Sequence, residues 1–196
     1  MIRKNKKHFA VYLFFRTFAA RNRKQNNMNS FLELCRARRS YRKYTSEPVS
    51  KEQLDRILQC ALMSPSGKRL NPWEFYVSTD TVVIRSLKDC RPMGTTMLET
   101  APVAVAVALD AQKADTWQAD GAIAALNMQL AAADEGLGSC WCHIYGRDNA
   151  EERVRKAFGI PDNLNVLCLI TIGHKDEERQ LYDVQKLPYQ KIHFTE

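Results

Sequence analysis

A short basic segment is the first candidate for a binding site. It reads Arg38-Arg39-Ser40-Tyr41-Arg42, with three guanidinium groups and a serine hydroxyl in five residues. Planar fork donors and a hydroxyl suit a phosphate held by bidentate hydrogen bonds. A solvated charged turn has the same composition, so this segment alone does not establish a phosphate site.

A second candidate is the segment 64–73, which reads Ser-Pro-Ser-Gly-Lys-Arg-Leu-Asn-Pro-Trp. Its small residues allow backbone N–H groups to come close to a ligand. The Pro72-Trp73 pair then opens a strand with a flat apolar side chain. An ordinary turn between a helix and a strand has the same features.

A third candidate follows the longest predicted helix, in Gly136-Leu-Gly-Ser-Cys-Trp-Cys-His143. Because side chains alternate along a strand, we expect Trp141 and His143 on one face and Cys142 on the other. A Cys-x-Cys pair in a strand is more typical of core filling than of redox chemistry.

The familiar catalytic motifs do not occur. The sequence contains no glycine-rich dinucleotide loop, no P-loop, no Gly-x-Ser-x-Gly nucleophile elbow and no His-Glu-x-x-His motif. The four histidines (8, 143, 174 and 193) are far apart, so we expect no metal site.

Helices and strands must position these candidate segments, and the periodicity of apolar residues predicts where those helices and strands lie. A capping box at Ser50 and Gln53 begins one helix, and the Val- and Ala-rich run 102–109 predicts a strand covered on both faces. A central sheet between layers of helices is the best single-domain arrangement. The predicted helices are 29–37, 50–63, 80–89, 95–100, 119–135 and 148–158, and the predicted strands are 73–78, 102–109, 140–145 and 165–172.

The charge of the chain is unevenly distributed. The 196 residues carry 29 Lys and Arg against 22 Asp and Glu, a net charge of +7. Residues 1–32 hold eight of the basic residues and no acidic one, which leaves a net charge of about −1 for residues 33–196. The overall basicity is therefore a property of the N-terminal leader and not of the body.

The leader, residues 1–27, precedes the first patterned segment. Its apolar stretch is too short for a secretory signal, and it lacks the serines typical of a transit peptide. We expect either an upstream extension of the reading frame, with Met28 as the true start, or a disordered or partner-binding tail. The body is the single domain 28–196.

Composition narrows the class of protein further. With 45% hydrophobic and 26% charged residues, the chain has ordinary globular composition. No apolar run approaches the roughly 20 residues that a membrane-spanning helix needs. Six cysteines without metal spacing favour reduced thiols and a cytoplasmic location.

Taken together, the three candidate segments resemble the nitroreductase family of FMN-dependent NAD(P)H oxidoreductases. The matching motifs are an Arg-Arg-Ser-x-Arg segment at 38–42, a Ser-Pro-Ser-Gly-x-x-x-x-Pro-Trp-x-Phe pattern at 64–75, Gly-Leu-Gly-Ser-Cys-Trp at 136–141, and a strand that ends in Ile172-Gly173. Each motif is moderately specific for the family, and the occurrence of all four in the same order is strong evidence for the resemblance. The resemblance covers residues 28–196.

This resemblance implies an α+β fold of three layers, α/β/α, with a central mixed, largely antiparallel sheet. It also implies a homodimer with FMN at the interface between the subunits, and no partnership with nucleic acid or membrane. NAD(P)H would deliver a hydride to the flavin, and a nitroaromatic, a quinone or a similar small molecule would then be reduced. The chemistry belongs to the flavin.

The resemblance also implies roles for individual residues. Arg38, Arg39 and Ser40 would hold the FMN phosphate and ribityl chain, and Arg42 would lie beside the pyrimidine edge of the flavin. The tail would supply a second cation at the phosphate, either Arg179 or Lys186. The other residues expected near the flavin are Pro65, Ser66, Gly67 and Arg69, which would reach the partner's site, and Trp141, Cys142 and His143.

Some positions depart from the family pattern. Arg69 stands where asparagine is commoner, and His143 stands about where some larger members carry a glutamate. These departures leave FMN binding plausible and leave the acceptor open. No insertion is long enough to form a lid, which disfavours the deiodinase and flavin-destroying branches.

Two alternatives remain from the sequence. One is a flavin-binding protein of the same fold without turnover. The other is a nucleic-acid-binding protein that acts through the basic leader, whose affinity would fall steeply with salt. The body offers neither a basic face nor a reading helix to support the second alternative.

Overall fold

The sheet is built from segments rich in Val, Ile, Leu and Ala. The structure, a computed structural model, describes residues 31–147 and 149–195. In these residues the strands are β1 (Trp73–Ser78), β2 (Val103–Leu109), β3 (Gly138–His143) and β4 (Asn165–Gly173). They form one sheet in the order β1-β2-β4-β3, and all three pairings are antiparallel. This arrangement confirms the expected largely antiparallel sheet.

The two central strands are buried on both faces, because helices cover the sheet on each side. Along β2, Val105 and Val107 face one core, whereas Ala104 and Ala106 face the other. Short alanines and larger valines thus alternate between the two layers. The predicted α+β fold of three layers, α/β/α, is confirmed.

The helices are placed by local capping and by their apolar faces. They are α1 (Phe31–Ala37), α2 (Lys51–Leu62), α3 (Thr81–Arg85), α4 (Trp117–Asp134) and α5 (Ala150–Phe158). The predicted capping box is present at the start of α2, where the side chain of Ser50 accepts from the N–H of Gln53. Helices α2 and α4 lie on one face of the sheet, and α3 and α5 lie on the other.

Short 3-10 turns connect several of these elements. They occupy Gly67–Arg69, Thr96–Glu99, Val184–Lys186 and Tyr189–Lys191. The second of them replaces the helix predicted at 95–100. Its Met97 and Leu98 are buried in the core, so packing supports the turn although it is short.

Two predicted elements, the helix 80–89 and the strand 140–145, have different bounds in the structure. The helix expected at 80–89 ends at Arg85, because the following residues turn so that Leu87 and Cys90 enter the core. Strand β3 lies two residues earlier than predicted. Its ladder ends because the N–H groups of Ile144 and Tyr145 both donate to the carbonyl of Leu167.

The start of α5 also differs from the prediction. Asn149 is the N-cap and makes no side-chain capping bond, and Asp148 lies outside the described residues. Glu151 in the first turn of α5 accepts from the N–H of Val166 at 2.9 Å and pairs with Arg155, which ties the helix to β4.

The leader 1–27 and the proposed start at Met28 lie outside the described residues. All six cysteines lie within the described residues and are free thiols. No helix in the part of the chain that the structure describes is long and apolar enough to cross a membrane.

Candidate functional site

The basic segment, residues 38–42, lies in extended form along the edge of β3. Ser40 forms a parallel bridge with Ser139, and the N–H of Tyr41 donates to the carbonyl of Ser139 at 3.0 Å. Glycine at 138 permits this approach, because a Cβ there would lie 2.9 Å from the Cβ of Tyr41. The first and third sequence motifs therefore come together at one edge of the sheet.

Tyr44 anchors the end of this segment in the core. Its hydroxyl donates to the carbonyl of Tyr41 at 2.7 Å and lies 2.8 Å from the hydroxyl of Thr171 on β4. Burial raises the pKa of the Tyr44 hydroxyl far above its ordinary value, so it stays protonated. This buried network sets the path of the backbone just after Arg42.

The tail, residues 174–195, passes alongside the basic segment. Glu177 is the main link: its Oε1 accepts from the N–H of Arg42 at 2.5 Å, and its Oε2 accepts from Arg179 at 2.7 Å. Burial raises the pKa of Glu177, but the hydrogen bond from Arg42 and the charge of Arg179 outweigh it and hold the pKa below its usual value. Glu177 is therefore a carboxylate that orders both the segment and the tail.

The arginines of the basic segment differ in what they contact. The Arg39 guanidinium donates to the carbonyl of Gln180 and lies 4.4 Å from the centre of the Tyr182 ring. Arg38 and Arg42, in contrast, pair with no carboxylate among residues 31–147 and 149–195. Two uncompensated guanidinium groups on one short segment are a donor set suited to an anionic ligand.

The 64–72 loop is held from both ends by side chains. The hydroxyl of Ser64 accepts from the Asn127 amide at 2.8 Å. The hydroxyl of Ser66 donates to the side-chain oxygen of Asn71 and accepts from the N–H of Asn71, at 2.8 and 2.9 Å. Pro65 between them is exposed. The loop is thus closed on itself and presents its outer residues to solvent.

Asp120, at the start of α4, holds the centre of this loop. Only 3% exposed, it accepts from the N–H of Gly67 and from the hydroxyl of Thr116, each at 3.0 Å. A Cβ at Gly67 would come within 2.5 Å of the Thr116 hydroxyl oxygen. The glycine is therefore required by close contact with α4.

Three non-glycine residues in the loop have a left-handed backbone. Their φ angles are 53° at Lys68, 57° at Arg69 and 45° at Asn71. Such conformations cost roughly 1–2 kcal/mol for each L-residue, with asparagine among the best tolerated. The strain persists because the bonds to Asp120 and Ser66 determine the shape of the loop, and strain of this kind concentrates at functional sites.

Strand β3 contributes one aromatic face. Trp141 and His143 are partly exposed, with their rings nearly parallel and their centres 6.3 Å apart. Cys142 points the other way, is 1% exposed, and donates to the carbonyl of Gly94. Burial raises the pKa of Cys142, which supports core filling over redox chemistry.

His143 has an unusual protonation environment. Partial burial and the positive charges of Arg147 and Arg91 lower the pKa of His143. Arg91 also donates to the carbonyl of His143 at 2.8 Å. The imidazole is therefore neutral over a wider range of pH than a free histidine.

The structure brings some of the predicted residues together and leaves others apart. Arg38, Arg39, Ser40, Arg42 and the tail cation Arg179 cluster at the edge of β3, which also carries Trp141, Cys142 and His143. Lys186 forms only a 3.7 Å pair with Asp183 and is mostly exposed. In the described residues no hydrogen bond or ion pair joins the 64–72 loop to the basic segment.

Sequence reasoning missed several residues of this site. Asp120, Thr116 and Glu177 lie in no recognised motif, and Asp120 and Glu177 act through partners distant in the chain. Lys175, which places its ammonium 5.2 Å from the centre of the Tyr41 ring, was also missed. For Asp120, the only signal in the sequence was a polar residue near the start of a largely apolar helix. An exposed residue would give the same signal.

Among the described residues, no group of three or more His, Cys, Asp and Glu side chains could hold a metal ion.

The fold and the site define an α+β protein with a cationic segment along one edge of its sheet and a separate strained loop held by α4. Comparison with known proteins names the family: the model described as the Nitroreductase family matches residues 35–116 and 88–174. The chain therefore belongs to the nitroreductase family, a family of oxidoreductases. The resemblance drawn from the sequence motifs is confirmed.

Individual relatives agree with this assignment. A provisionally named NADH dehydrogenase/NAD(P)H nitroreductase of Archaeoglobus fulgidus is 31% identical over 160 residues, covering 80% of this chain and 91% of the relative. The solved structure of an FMN-dependent nitroreductase from Clostridium difficile is 40% identical, with a TM-score of 0.81 over 84% of this chain and 99% of that one. A Bacteroides fragilis nitroreductase solved with bound FMN is 27% identical, with a TM-score of 0.72 over 86% of this chain and 100% of that one.

Proposed function

We propose that this protein is an FMN-dependent oxidoreductase that transfers a hydride from NAD(P)H, through the flavin, to a nitroaromatic, a quinone or a similar acceptor. The observation that carries this proposal is the pair of uncompensated guanidinium groups, Arg38 and Arg42, held against the edge of β3. The named activities of the relatives support the same chemistry.

The residues of the basic segment would divide the cofactor between them. Arg38, with Arg39 and Ser40, would bind the phosphate and ribityl chain. Arg42 would lie at the pyrimidine edge, where a fixed positive charge favours the anionic reduced ring. Glu177 bonds the backbone of Arg42, so it would orient this arginine without neutralising its guanidinium directly.

Flavin chemistry supplies hydride acceptance from NAD(P)H and electron delivery to a second substrate. The chain would provide the surroundings for it. Trp141 and His143 would cover one side of the ring, and Cys142 would contribute only its backbone because its thiol is buried. Pro65, Ser66, Gly67 and Arg69 would approach the flavin of the other subunit.

Between the two tail cations, we assign the phosphate side to Arg179. Its partner Glu177 also bonds the basic segment, which keeps Arg179 close to Arg42. Its side chain remains 36% exposed, so it can still reach an anion. Lys186 has no contact of this kind in the described residues.

A homodimer is part of the same proposal. The outer face of α4 carries Ile123 and Leu126, which are 39% and 46% exposed, while its inner face is buried against the sheet. A helix that is apolar on all sides is normally covered on all sides. Phe31 on α1 and Met63 after α2 are also exposed, and a second copy of the chain would cover such surfaces.

An absorbance spectrum of the purified protein tests the cofactor. We expect a yellow protein with flavin bands that bleach on addition of NADH or NADPH. A colourless protein that FMN cannot reconstitute would overturn the proposal. Steady-state oxidation of NADH with menadione or nitrofurazone would separate an enzyme from a flavin carrier without turnover.

The residue assignment needs its own variant. Arg38→Ala should weaken FMN binding at least tenfold, on the order expected for a lost charge-assisted pair. Lys156→Ala, an exposed cation on α5, is the matched control and should bind FMN like the original protein. Equal FMN affinity in the two variants would contradict the phosphate role of Arg38.

A further inference from the structure

A single carboxylate connects the two arginines that the proposed function assigns to opposite ends of FMN. The Glu177 Oε1 atom accepts from the backbone N–H of Arg42 at 2.5 Å, and its Oε2 atom accepts from the Arg179 guanidinium at 2.7 Å. The Glu177 side chain is only 18% exposed, whereas that of Arg179 is 36% exposed. The acid is therefore enclosed, while the arginine can still reach a ligand.

The start of the tail pairs in antiparallel fashion with the chain just after the basic segment. The N–H of Thr45 donates to the carbonyl of His174 at 3.0 Å, and the N–H of Asp176 donates to the carbonyl of Lys43 at 3.1 Å. At the next residue of the tail, the side chain of Glu177 takes over as acceptor. A backbone carbonyl would satisfy the same N–H without a charge, so this ladder does not by itself require an acid at position 177.

Arg42 is fixed through its backbone and not through its side chain. The N–H of Tyr41 donates to the carbonyl of Ser139 on β3, and the following N–H, that of Arg42, donates to Glu177. The Arg42 guanidinium forms no ion pair with a carboxylate in the part of the chain that the structure describes. Glu177 therefore holds the backbone of Arg42 in place and leaves the charge of its side chain available to a ligand.

We propose that Glu177 is a positioning residue for FMN, whose carboxylate holds Arg42 at the pyrimidine edge and Arg179 at the phosphate as one unit. The inference rests on the proposed function, which assigns these two ends of the cofactor to the two arginines. Because both arginines share one partner, displacement of either should disturb the other. The two arginines therefore bind FMN cooperatively, and the positive charge at the pyrimidine edge depends on Glu177 for its location.

The reduction potential of the bound flavin separates positioning from charge. A nearby carboxylate disfavours the anionic reduced ring, so the loss of its charge alone should raise the potential. Displacement of Arg42 moves a positive charge away from the ring and should lower the potential. In Glu177→Ala we therefore expect the potential to fall although an acid has been removed. The exposed Glu178→Gln removes the same charge one residue further along and, as the control, should change the potential little.

Glu177→Gln is the conservative variant, because its amide oxygen can still accept from the N–H of Arg42 while the charge is lost. It should keep the potential at or above that of the original protein, opposite to Glu177→Ala. Equilibration with a reference dye during stepwise reduction gives the potential of protein saturated with FMN, so neither weaker binding nor NAD(P)H affects the value. Titration of the apoproteins should show FMN binding weakened about tenfold or more in Glu177→Ala and less in Glu177→Gln.

A double-mutant cycle of Arg42→Ala and Arg179→Ala tests the connection between the two arginines. With Glu177 in place, the FMN affinity of the double variant should depart from the product of the two single effects by about twofold or more. In the Glu177→Ala background the two effects should simply multiply.

An unchanged or raised potential in Glu177→Ala would overturn the inference, as would equal FMN affinity in Glu177→Ala and Glu178→Gln. If Glu177→Ala does not fold, the cycle in the original background decides, and independent effects of the two arginines overturn the inference. In each case a yellow original protein that NADH bleaches leaves the proposed function standing. A colourless original protein that FMN cannot reconstitute is the separate failure of the proposed function.

Discussion

The carboxylate of Asp120 accepts a hydrogen bond of 3.0 Å from the backbone N–H of Gly67, which joins the start of α4 to the 64–72 loop. The two residues are 53 positions apart in the chain. The second oxygen of the same carboxylate is satisfied by Thr116. The position of a loop expected at the flavin thus depends on one buried acid.

Asp120→Ala should therefore weaken both the fold and cofactor binding. Removal of the acceptor leaves the partly buried N–H of Gly67 unsatisfied, which should lower the free energy of unfolding by about 1–3 kcal/mol. Asp120→Asn keeps an acceptor oxygen and should recover most of this loss. Urea unfolding and FMN titration would measure both effects, with the exposed Asp115→Ala as control. No change in Asp120→Ala would show that the contact is dispensable.

Gly67→Ala should be destabilising for a steric reason. The new Cβ would lie 2.5 Å from the Thr116 hydroxyl oxygen, so either the Thr116 side chain rotates and loses its bond to Asp120 or the loop shifts. Overpacking of this kind costs about 1–3 kcal/mol. In the double variant with Thr116→Ala the obstructing oxygen is gone, and part of the stability should return. Thermal unfolding of the two single variants and the double variant checks this, and strictly additive losses would refute the clash.

Tyr44→Phe should lower stability by about 1–3 kcal/mol, because it leaves the carbonyl of Tyr41 and the hydroxyl of Thr171 without their buried partner. Combination with Thr171→Val should reveal a coupling energy of roughly 0.5–3 kcal/mol in a double-mutant cycle. Tyr76→Phe, which removes an exposed hydroxyl bonded to Glu74, is the matched control. Equal effects of the two Tyr→Phe changes would contradict the role assigned to Tyr44.

Glu177 should make stability depend on pH in the acidic range. Its folded pKa is held below the unfolded value of about 4.3, so the unfolded chain binds the proton more tightly. The contribution of Glu177 is therefore complete above that value and is lost as the pH falls through the folded pKa. Glu177→Gln should flatten the fall of unfolding free energy below about pH 4–5, whereas the exposed Glu178→Gln should not. Parallel pH profiles for the two variants would oppose this assignment.

Much of the fold could be predicted from the sequence because its signals are local. Strand β1 has the predicted bounds, and the predicted capping box begins α2. The alternation of Trp141 and Cys142 followed directly from strand geometry. The errors occur where a distant partner overrides a local preference, as where β3 ends early because Ile144 and Tyr145 both donate to the carbonyl of Leu167.

The residues of the candidate site likewise fall into those that the sequence identifies and those that only the structure reveals. Its three motifs, including Arg38 to Arg42, were recognisable from residue types and spacing. Asp120 and Glu177 were not, because an isolated acid in a sequence has no indication of which backbone N–H it will meet.

The sequence by itself therefore determined the family, the order of the elements and which residues are candidates for binding an anion. These properties depend on covalent order and on patterns a few residues long. Only the tertiary structure decided which cations are free. Arg39 contacts Tyr182 and Arg179 pairs with Glu177, whereas the guanidinium groups of Arg38 and Arg42 form no ion pair with a carboxylate within the described residues. The reason is distance along the chain: the contact between Arg42 and Glu177 spans 135 positions, and only folding brings such groups together.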